Sequence, residues 1–314
     1  MRNPKYTNQQ LREWAFQLLN EMTEENPHQL QIHPAELELF FLRQGNVALG
    51  CRVWKSTKGA LRALAVSNQE QEFFLFSKKS TGDKYFEQYF QWIFEARQKK
   101  ALKQHQDRFL VPLHVDLDAD LEIKKWVQKG FLIDPSRREE WCLDFQSPIL
   151  SSPSQGIVFR EIQDSELSTF SEFFKETGSM ETSEVEDPSV LQKFDTTKCK
   201  KLDIVAQAPQ DGIVGGLRVW ADLHSQTAWI QLLSVRKEWQ GLGVGQGLLS
   251  EAFQKLKEMG QQRIILHLES AAYQPALVFL LQKMGFQLRH RQLTLLKIFQ
   301  VRAAEKQNSS ARDL

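Results

Sequence analysis

The chain has 314 residues, of which 40 are basic and 39 acidic, so its formal net charge at neutral pH is +1. This balance gives no overall electrostatic basis for nucleic-acid binding, which depends on an excess of cationic side chains. No apolar run approaches the roughly 20 residues of a membrane-spanning helix, and the polar start MRNPKYTNQQ lacks the apolar centre of a signal peptide. We therefore expect a cytoplasmic protein with no nucleic-acid or membrane partner.

The cysteines are Cys51, Cys142 and Cys199. They stand far apart and form neither a Cys-x-x-Cys pair nor a metal-ligand spacing with histidine. The sequence therefore predicts no zinc or other metal site and no disulfide framework.

The domain organisation follows from length and composition. A chain of 314 residues fits about two domains, and residues 150–156 (LSSPSQG) have the composition of a linker. We predict one domain at residues 1–149 and a second at residues 157–300, joined by this linker. The polar residues 301–314 are expected to form a frayed tail.

The first half of the chain predicts a mixture of strands and helices. Residues 37–42 and 47–54 are expected to form a two-strand hairpin around Gly45-Asn46. Aromatic residues at helical spacing near residues 85–93 predict a helix, and residues 109–115 predict a strand. Apolar positions before Gly130-Phe131 indicate a further helix, and residues 141–145 a closing strand.

The second half has a clearer pattern. Strands are predicted at residues 158–163, 201–207 and 212–220, and Thr227–Val235 (TAWIQLLSV) predicts a buried strand. A helix is expected from about Val244 to Met259, followed by a strand at residues 263–268, a helix beginning near Pro275 and a last strand at residues 287–299.

Three glycines stand at alternate positions between a strand and a helix: Gly241, Gly243 and Gly245. Backbone N–H groups can converge there, and the start of the helix adds unpaired N–H groups and partial positive charge, so the loop favours a phosphate or pyrophosphate. A P-loop needs a Lys-Ser/Thr pair that is absent, and a dinucleotide fingerprint needs glycine where Gln246 stands.

The segment Gln240 to Gly245 (QGLGVG) resembles the Q/R-x-x-G-x-G/A acetyl-CoA loop of the GNAT acetyltransferases. QPALVFLLQKMGF is similar to that family's N-P-A-x-x-x-x-Y-E-K-L-G-F segment, and the resemblance covers about residues 157–299. It implies an α/β fold with a central, twisted mixed sheet flanked by helices.

A weak internal repeat extends this expectation to the first half. Gly82 and Gly130 are 48 positions apart, and Gly241 and Gly285 are 44 apart. The first half has Thr81-Gly82-Asp83-Lys84-Tyr85-Phe86 in place of QGLGVG, and bulky side chains would obstruct a pyrophosphate. We therefore predict two tandem GNAT-like domains, the first degenerate and without a cofactor site; an unrelated α/β domain is the alternative.

The resemblance implies acetyl-CoA as co-substrate. Backbone N–H groups of the loop would hold the pyrophosphate, and the edge of the strand before it would pair with the pantetheine arm. The residues expected to bind the cofactor are Leu233, Val235, Gln240, Gly241, Gly243, Val244, Gly245 and Gln274.

The usual catalytic groups of the family are missing from their positions. Gln231 stands at the position of the usual Glu, and Leu281 at that of the usual Tyr. Glu269 and Tyr273 are the substitute base and acid, although a capping carboxylate and a packing aromatic are the structural alternatives. His267 is interpreted as a core histidine.

The resemblance implies an N-acetyltransferase acting on a small-molecule or peptide amine. The acidic stretch at residues 164–197 would attract a cationic amine, but neither the acceptor nor the oligomeric state follows from the sequence. An acyl-CoA-binding regulatory or scaffold protein is the alternative, and an aminoacyl transferase using charged tRNA is less well supported because no basic stretch is present.

Overall fold

A computed structural model of the chain describes residues 6–25, 33–44, 50–68, 72–77, 82–116, 120–145, 156–177, 199–269 and 274–301. Helices alternate with strands along these residues, and the largest sheet contains both parallel and antiparallel pairs. The predicted α/β class with a mixed sheet is therefore confirmed.

The helices are α1 (Asn8–Glu25), α2 (Pro34–Gln44), α3 (Gly82–Lys103), α4 (Asp120–Gln128), α5 (Leu167–Glu176), α6 (Val244–Glu258) and α7 (Pro275–Lys283). The strands are β1 (Gly50–Lys55), β2 (Leu61–Asn68), β3 (Glu72–Ser77), β4 (Arg108–Asp116), β5 (Leu132–Asp144), β6 (Val158–Glu161), β7 (Cys199–Ala208), β8 (Gly212–Asp222), β9 (Thr227–Val235), β10 (Arg263–Glu269) and β11 (Gln287–Gln300).

The chain divides into two compact units that do not follow the predicted domain boundary. Unit 1 comprises Met1–Gln29, Asn46–Ser136 and Gln292–Leu314, and unit 2 comprises Leu30–Gly45 and Arg137–Arg291. Residues 30–45 and 137–149, which were predicted in the first domain, therefore belong to unit 2. Residues 292–300, which were predicted in the second domain, belong to unit 1. Of the predicted linker only Gly156 is described, and of the predicted tail only Val301.

Strand pairing explains this division. β5 pairs with β10 of unit 2 in an antiparallel ladder from Asp144↔Arg263 to Arg138↔Glu269. The strand expected at residues 141–145 is thus present, but it completes the sheet of unit 2 and not that of the first half. The reason is hydrophobic burial, because Trp141, Leu143 and Phe145 all lie in the core of unit 2.

The sheet of unit 2 has a helix layer on each face. β6, β7, β8 and β9 pair antiparallel in that order, and β9 pairs parallel with β10. On one face, α6 buries the stripe predicted from its spacing, with Val244, Leu248, Leu249, Ala252, Phe253 and Leu256 all 1% exposed or less. On the other face, α5 packs Phe170, Phe173 and Phe174 against the sheet, where Gly216 gives their rings room.

The predicted hairpin is wrong at its first strand, because residues 37–42 lie within α2. Ala35, Leu39 and Leu42, which are four and three residues apart, contact Cys199 and Trp220 of unit 2. That spacing is one face of a helix, and long-range burial selects it over the short apolar alternation in the sequence. Residues 47–49 lie outside the described residues, and the second strand begins at Gly50.

Unit 1 contains the antiparallel sheet β1-β2-β3 and a second ladder in which β4 pairs with residues 292–300 of β11. The ring of Phe109 stacks on that of Phe299 with centroids 5.5 Å apart. The helix and strand predicted near residues 85–93 and 109–115 are confirmed as α3 and β4.

Candidate acyl-CoA site and comparisons with known proteins

A fork in the sheet of unit 2 is the first feature of the candidate site. The parallel ladder of β9 and β10 ends at the pair Ile230↔Leu266. β9 continues to Val235 while pairing with β8 along its other edge. At about 3.3 Å per residue, the stretch from residue 231 to residue 235 presents about 13 Å of strand edge towards the fork.

A β-bulge in β9 turns the side chains of this stretch. Val219 pairs with Ile230 and Arg218 pairs with Leu232, so Gln231 is the extra residue. Because one extra residue reverses the side-chain alternation, Ile230 packs towards α6, whereas Leu232 packs with the phenylalanines of α5. Leu233 then returns to the α6 side, where it borders a cavity.

The cavity encloses about 450 Å³ at the mouth of the fork. The end of β9, the glycine loop, the start of α6 and one side of α7 line it. It brings together all the residues predicted to bind the cofactor: Leu233, Val235, Gln240, Gly241, Gly243, Val244, Gly245 and Gln274. Its wall also includes residues that the sequence did not single out: Thr177, Ser234, Trp239, Gln246, Ala276, Leu277, Phe279, Leu280 and Lys283.

The glycine loop directs backbone donors into this cavity. Gly241 and Gly243 have φ values of 77° and 85°, a left-handed conformation that glycine adopts without steric cost. Gly243 is the N-cap of α6 and provides no side-chain cap, so the first N–H groups of the helix remain available to a ligand. The Gln240 amide Nε2 donates to the Val235 carbonyl at 3.0 Å and ties the loop to the end of β9.

Two other glycines of this segment permit close packing. A Cβ atom on Gly245 would lie 3.0 Å from Leu280 Cδ2, and one on Gly247 would lie 2.2 Å from the Phe159 ring. Gly245 therefore lets α7 approach the loop, and Gly247 lets α6 approach β6. The role of Gly247 was not predicted, because nothing in the local sequence indicates its contact with Phe159.

The electrostatics of the cavity favour an anion. The positive end of the α6 dipole and its unpaired N–H groups meet at the loop. In the described lining, Lys283 is the one cationic residue, and no carboxylate is present. The arrangement suits a phosphorylated ligand with an extended arm.

The two positions at which the family resemblance places Glu and Tyr do not carry acid or base groups. Gln231 accepts a hydrogen bond from the Trp220 indole Nε1 at 2.7 Å, and Leu281 is fully buried in the core of unit 2. Neither side chain can exchange a proton, so both serve the structure.

The predicted substitutes remain predictions. Glu269 is the last residue of β10 and pairs in register with Arg138, but its side chain lies outside the described structure. Tyr273 falls outside the described residues altogether.

A buried polar cluster on the α2 side of the fork was missed by sequence reasoning. We call it the His267 cluster; it comprises Glu36, Arg138, Glu140 and His267. An Arg138 guanidinium N–H lies 2.9 Å from His267 Nδ1, and His267 Nε2 lies 3.3 Å from Glu140 Oε2. Arg138 also forms an ion pair with Glu36 at 3.3 Å.

Burial sets the protonation of this cluster. Together with the neighbouring Arg138, it lowers the pKa of His267 to about 4, so the imidazole is neutral at neutral pH. Burial also raises the pKa of the Glu140 carboxyl. No sequence pattern indicates the cluster, because residues 36, 138 and 140 meet His267 only through the fold.

No group of three His, Cys, Asp or Glu side chains among the described residues has the arrangement of metal ligands. None of the helices in the described ranges is both long and apolar enough to cross a membrane.

Comparison with known proteins bears on the fold and on one part of the chain. Residues 164–286, which are less than half of the chain, match the model of the "Acetyltransferase (GNAT) family". The chain as a whole has the fold of a tandem GNAT protein, as its structural neighbours show.

One such neighbour is the GCN5-related N-acetyltransferase from Sphaerobacter thermophilus, with a TM-score of 0.64 and 16% identity over 91% of this chain and 92% of that chain. Another is a tandem GNAT protein from the clavulanic acid biosynthesis pathway, with a TM-score of 0.59 and 13% identity over 91% of this chain and 95% of that chain. At these identities the likeness concerns the fold. No curated protein matches the chain.

Proposed function

We propose that the protein is an N-acetyltransferase that moves an acetyl group from acetyl-CoA to an amine. The observation that carries the proposal is the cavity at the fork, where an exposed strand edge meets the uncapped start of α6. These are the two kinds of surface that a pyrophosphate joined to an extended amide-containing arm requires.

Different parts of the site would bind different parts of acetyl-CoA. The N–H groups at the start of α6 suit the pyrophosphate, and the loop conformation at Gly241 and Gly243 keeps that approach open. The edge of β9 suits the amides of the pantetheine arm, which it would pair as a neighbouring strand would. Leu233 and Val235 add apolar contacts along the same edge.

Acyl transfer needs positioning and one proton acceptor. The neutral amine nitrogen attacks the thioester carbonyl, the carbon–sulfur bond breaks, and the amine loses a proton. Alignment of the reactants alone is worth several kcal/mol, so the Gln231 and Leu281 positions do not exclude catalysis. Glu269 as base and Tyr273 as acid remain the substitutes predicted from their places in the sequence.

The acceptor is proposed to be a small-molecule or peptide amine. Within the acidic stretch expected to attract it, Glu176 is described and accepts a hydrogen bond from Arg236 at 3.3 Å. Residues 178–197 of this stretch lie outside the described residues. The class of amine is therefore a question for a substrate panel.

Calorimetric titration with acetyl-CoA, followed by thiol release across a panel of amines, tests the proposal. Gly243→Glu should abolish binding without unfolding the domain, because it adds bulk and negative charge where the pyrophosphate would lie. Leu242→Glu is the matched control: it adds the same charge one residue away, on a side chain that is 59% exposed and outside the cavity lining. Unchanged affinity in Gly243→Glu would contradict the assignment of the loop.

The rival function is an acyl-CoA-binding regulatory or scaffold protein with little turnover. The structural roles of Gln231 and Leu281 favour it. Stoichiometric binding of acetyl-CoA without thiol release for any amine would support this rival against the transferase.

A further inference from the structure

The His267 cluster lies beside the inner end of the fork. Leu266 is the last residue of β10 that pairs with β9, and His267 follows it directly. Ile264, Leu266 and Leu268 point into the core on the α6 side, so His267 points to the opposite face, towards α2. The edge of β9 that faces the fork runs from residue 231, at the level of His267, over about 13 Å to Val235. A ligand arm that follows this edge from the glycine loop would end at the level of His267.

Hydrogen bonding determines which group of the cluster can take up a proton. The Arg138 guanidinium has only donors, so its contact with His267 Nδ1 makes that nitrogen an acceptor. The imidazole therefore carries its hydrogen on Nε2 and donates it to Glu140. Both ring nitrogens are engaged, and His267 has no lone pair left for a substrate.

The two carboxylates of the cluster differ in their partners. Both carboxylate oxygens of Glu36 accept hydrogen bonds from the Arg138 guanidinium, at 3.3 and 3.4 Å. Glu140 accepts a hydrogen bond from the neutral imidazole of His267, and the Glu140 side chain is 13% exposed. Glu140 thus retains acceptor capacity at a partly open position, whereas Glu36 is neutralised by Arg138.

We propose that Glu140 is the proton acceptor of the acyl transfer and that His267 and Arg138 are its positioning residues. This proposal rests on the proposed function. As the carbon–nitrogen bond forms and the carbon–sulfur bond breaks, one N–H proton of the amine passes to the Glu140 carboxylate and then to solvent. The thiolate leaves with the electron pair of the broken bond and takes a proton from solvent.

The charges around Glu140 agree with this task. Burial raises the pKa of its carboxyl, which brings the group closer to the neutral range of a general base. Nearby basic groups limit this rise: His290 on β11, Arg263 on β10, Arg138 on its own strand and Arg289 on β11. Glu36 of α2 lies on the same side, but its ion pair with Arg138 offsets its charge.

The test uses the full chain and the amine that the substrate panel identifies. Glu140→Gln keeps the shape and an acceptor for His267 Nε2, so we expect unchanged acetyl-CoA affinity and a loss in kcat of about 100-fold or more. The acid limb of the kcat/KM profile should disappear. The matched control is Glu139→Gln on the same strand, whose side chain bonds the Trp141 indole and Arg291 instead; its kcat should be unchanged.

His267→Leu tests the positioning role, because leucine occupies the space of the imidazole without a hydrogen-bond donor. Loss of the Nε2 donor removes a hydrogen bond to the charged carboxylate, so the acid limb of the pH profile should move to higher pH. A merely structural histidine would lower activity without moving that limb.

Three results would overturn the assignment. One is a Glu140→Gln variant that keeps more than a third of wild-type kcat. Another is a loss of the acid limb in Glu269→Gln but not in Glu140→Gln, which would assign the base to Glu269. Wild-type protein that releases no thiol with any amine would overturn the proposed function together with this assignment, whereas turnover that survives Glu140→Gln overturns the assignment alone.

Discussion

Gly247 illustrates how a single residue in α6 is fixed by a distant contact. In an exposed helix, alanine is about 1 kcal/mol more favourable than glycine. Here a methyl group would lie 2.2 Å from the Phe159 ring, and overpacking of that kind costs about 1–3 kcal/mol. We expect Gly247→Ala to lower the free energy of unfolding by about 1 kcal/mol, as measured by denaturant titration.

A double variant separates the two effects. In a Phe159→Leu background the ring is gone, so Gly247→Ala should become neutral or stabilising. Stabilisation by Gly247→Ala in the wild-type background would contradict the contact with Phe159.

At the scale of residues, what the sequence can predict depends on distance along the chain. The glycines of the loop and the neighbouring Leu233, Val235 and Gln274 were predicted, because a motif of a few residues determines where they lie. The His267 cluster was not, because its members are more than 100 positions apart except for the two on β5. Only the pairing of β5 with β10 brings them together.

Among the elements, α2 is joined to the sheet of unit 2 by a second buried imidazole. His33 Nε2 donates to the Thr227 carbonyl at 3.2 Å, Nδ1 accepts from the Ala35 N–H, and the ring stacks on Trp229. Burial lowers the pKa of His33 to about 4, although Asp222 opposes the shift. His33 is therefore neutral in the folded protein at neutral pH.

This burial predicts how stability depends on pH. The unfolded chain binds a proton at His33 near pH 6.5 and the folded chain only near pH 4, so stability is complete above pH 6.5 and is lost as the pH falls towards 4. The expected slope is about 1.4 kcal/mol per pH unit for each such histidine, and His267 contributes in the same direction. The raised pKa of Glu140 acts in the opposite direction.

Denaturant titrations at pH 7, 6 and 5 measure this slope. Comparison with His33→Gln isolates its contribution, because the contribution of Glu140 is common to both proteins. Equal slopes in the two proteins would contradict the burial of a neutral His33.

The elements of unit 2 were predicted well where the pattern is local. The bounds of β9 and the start of α6 follow from periodicity and from the glycines between them. α2 was not predicted, because its short apolar run fits a strand as well as a helix until Cys199 and Trp220 cover one face. Tertiary burial decides such ambiguous segments.

For the whole molecule, the pairing of β5 predicts the effect of cutting the chain. A fragment of residues 157–300 lacks β5 and with it Trp141, Leu143 and Phe145 of the core of unit 2. We expect this fragment to be insoluble or to unfold without cooperativity. A protease site inserted at residues 150–156 of the full chain should instead yield two fragments that elute together in size-exclusion chromatography.

The physical reason is that each fragment completes a unit with the other's residues. The N-terminal fragment supplies β5 and α2 to unit 2, and the C-terminal fragment supplies residues 292–300 of β11 to unit 1. Separation of the nicked fragments under native conditions, or a stable fragment of residues 157–300, would contradict this division. The bounds of the two units differ from the predicted domains for the same reason, since composition marks a linker but does not reveal which sheet a strand joins.

The course of β11 also sets the order in which the protein can be completed on the ribosome. β4 becomes available after residue 116 has been synthesised, but its partner residues 292–300 follow only 176 to 184 codons later. Unit 1 therefore stays incomplete, with β4 lacking its partner strand, while nearly all of unit 2 is translated. The nascent chain carries an exposed edge that invites pairing with other chains, so slow translation or a shortage of chaperones should harm unit 1 first.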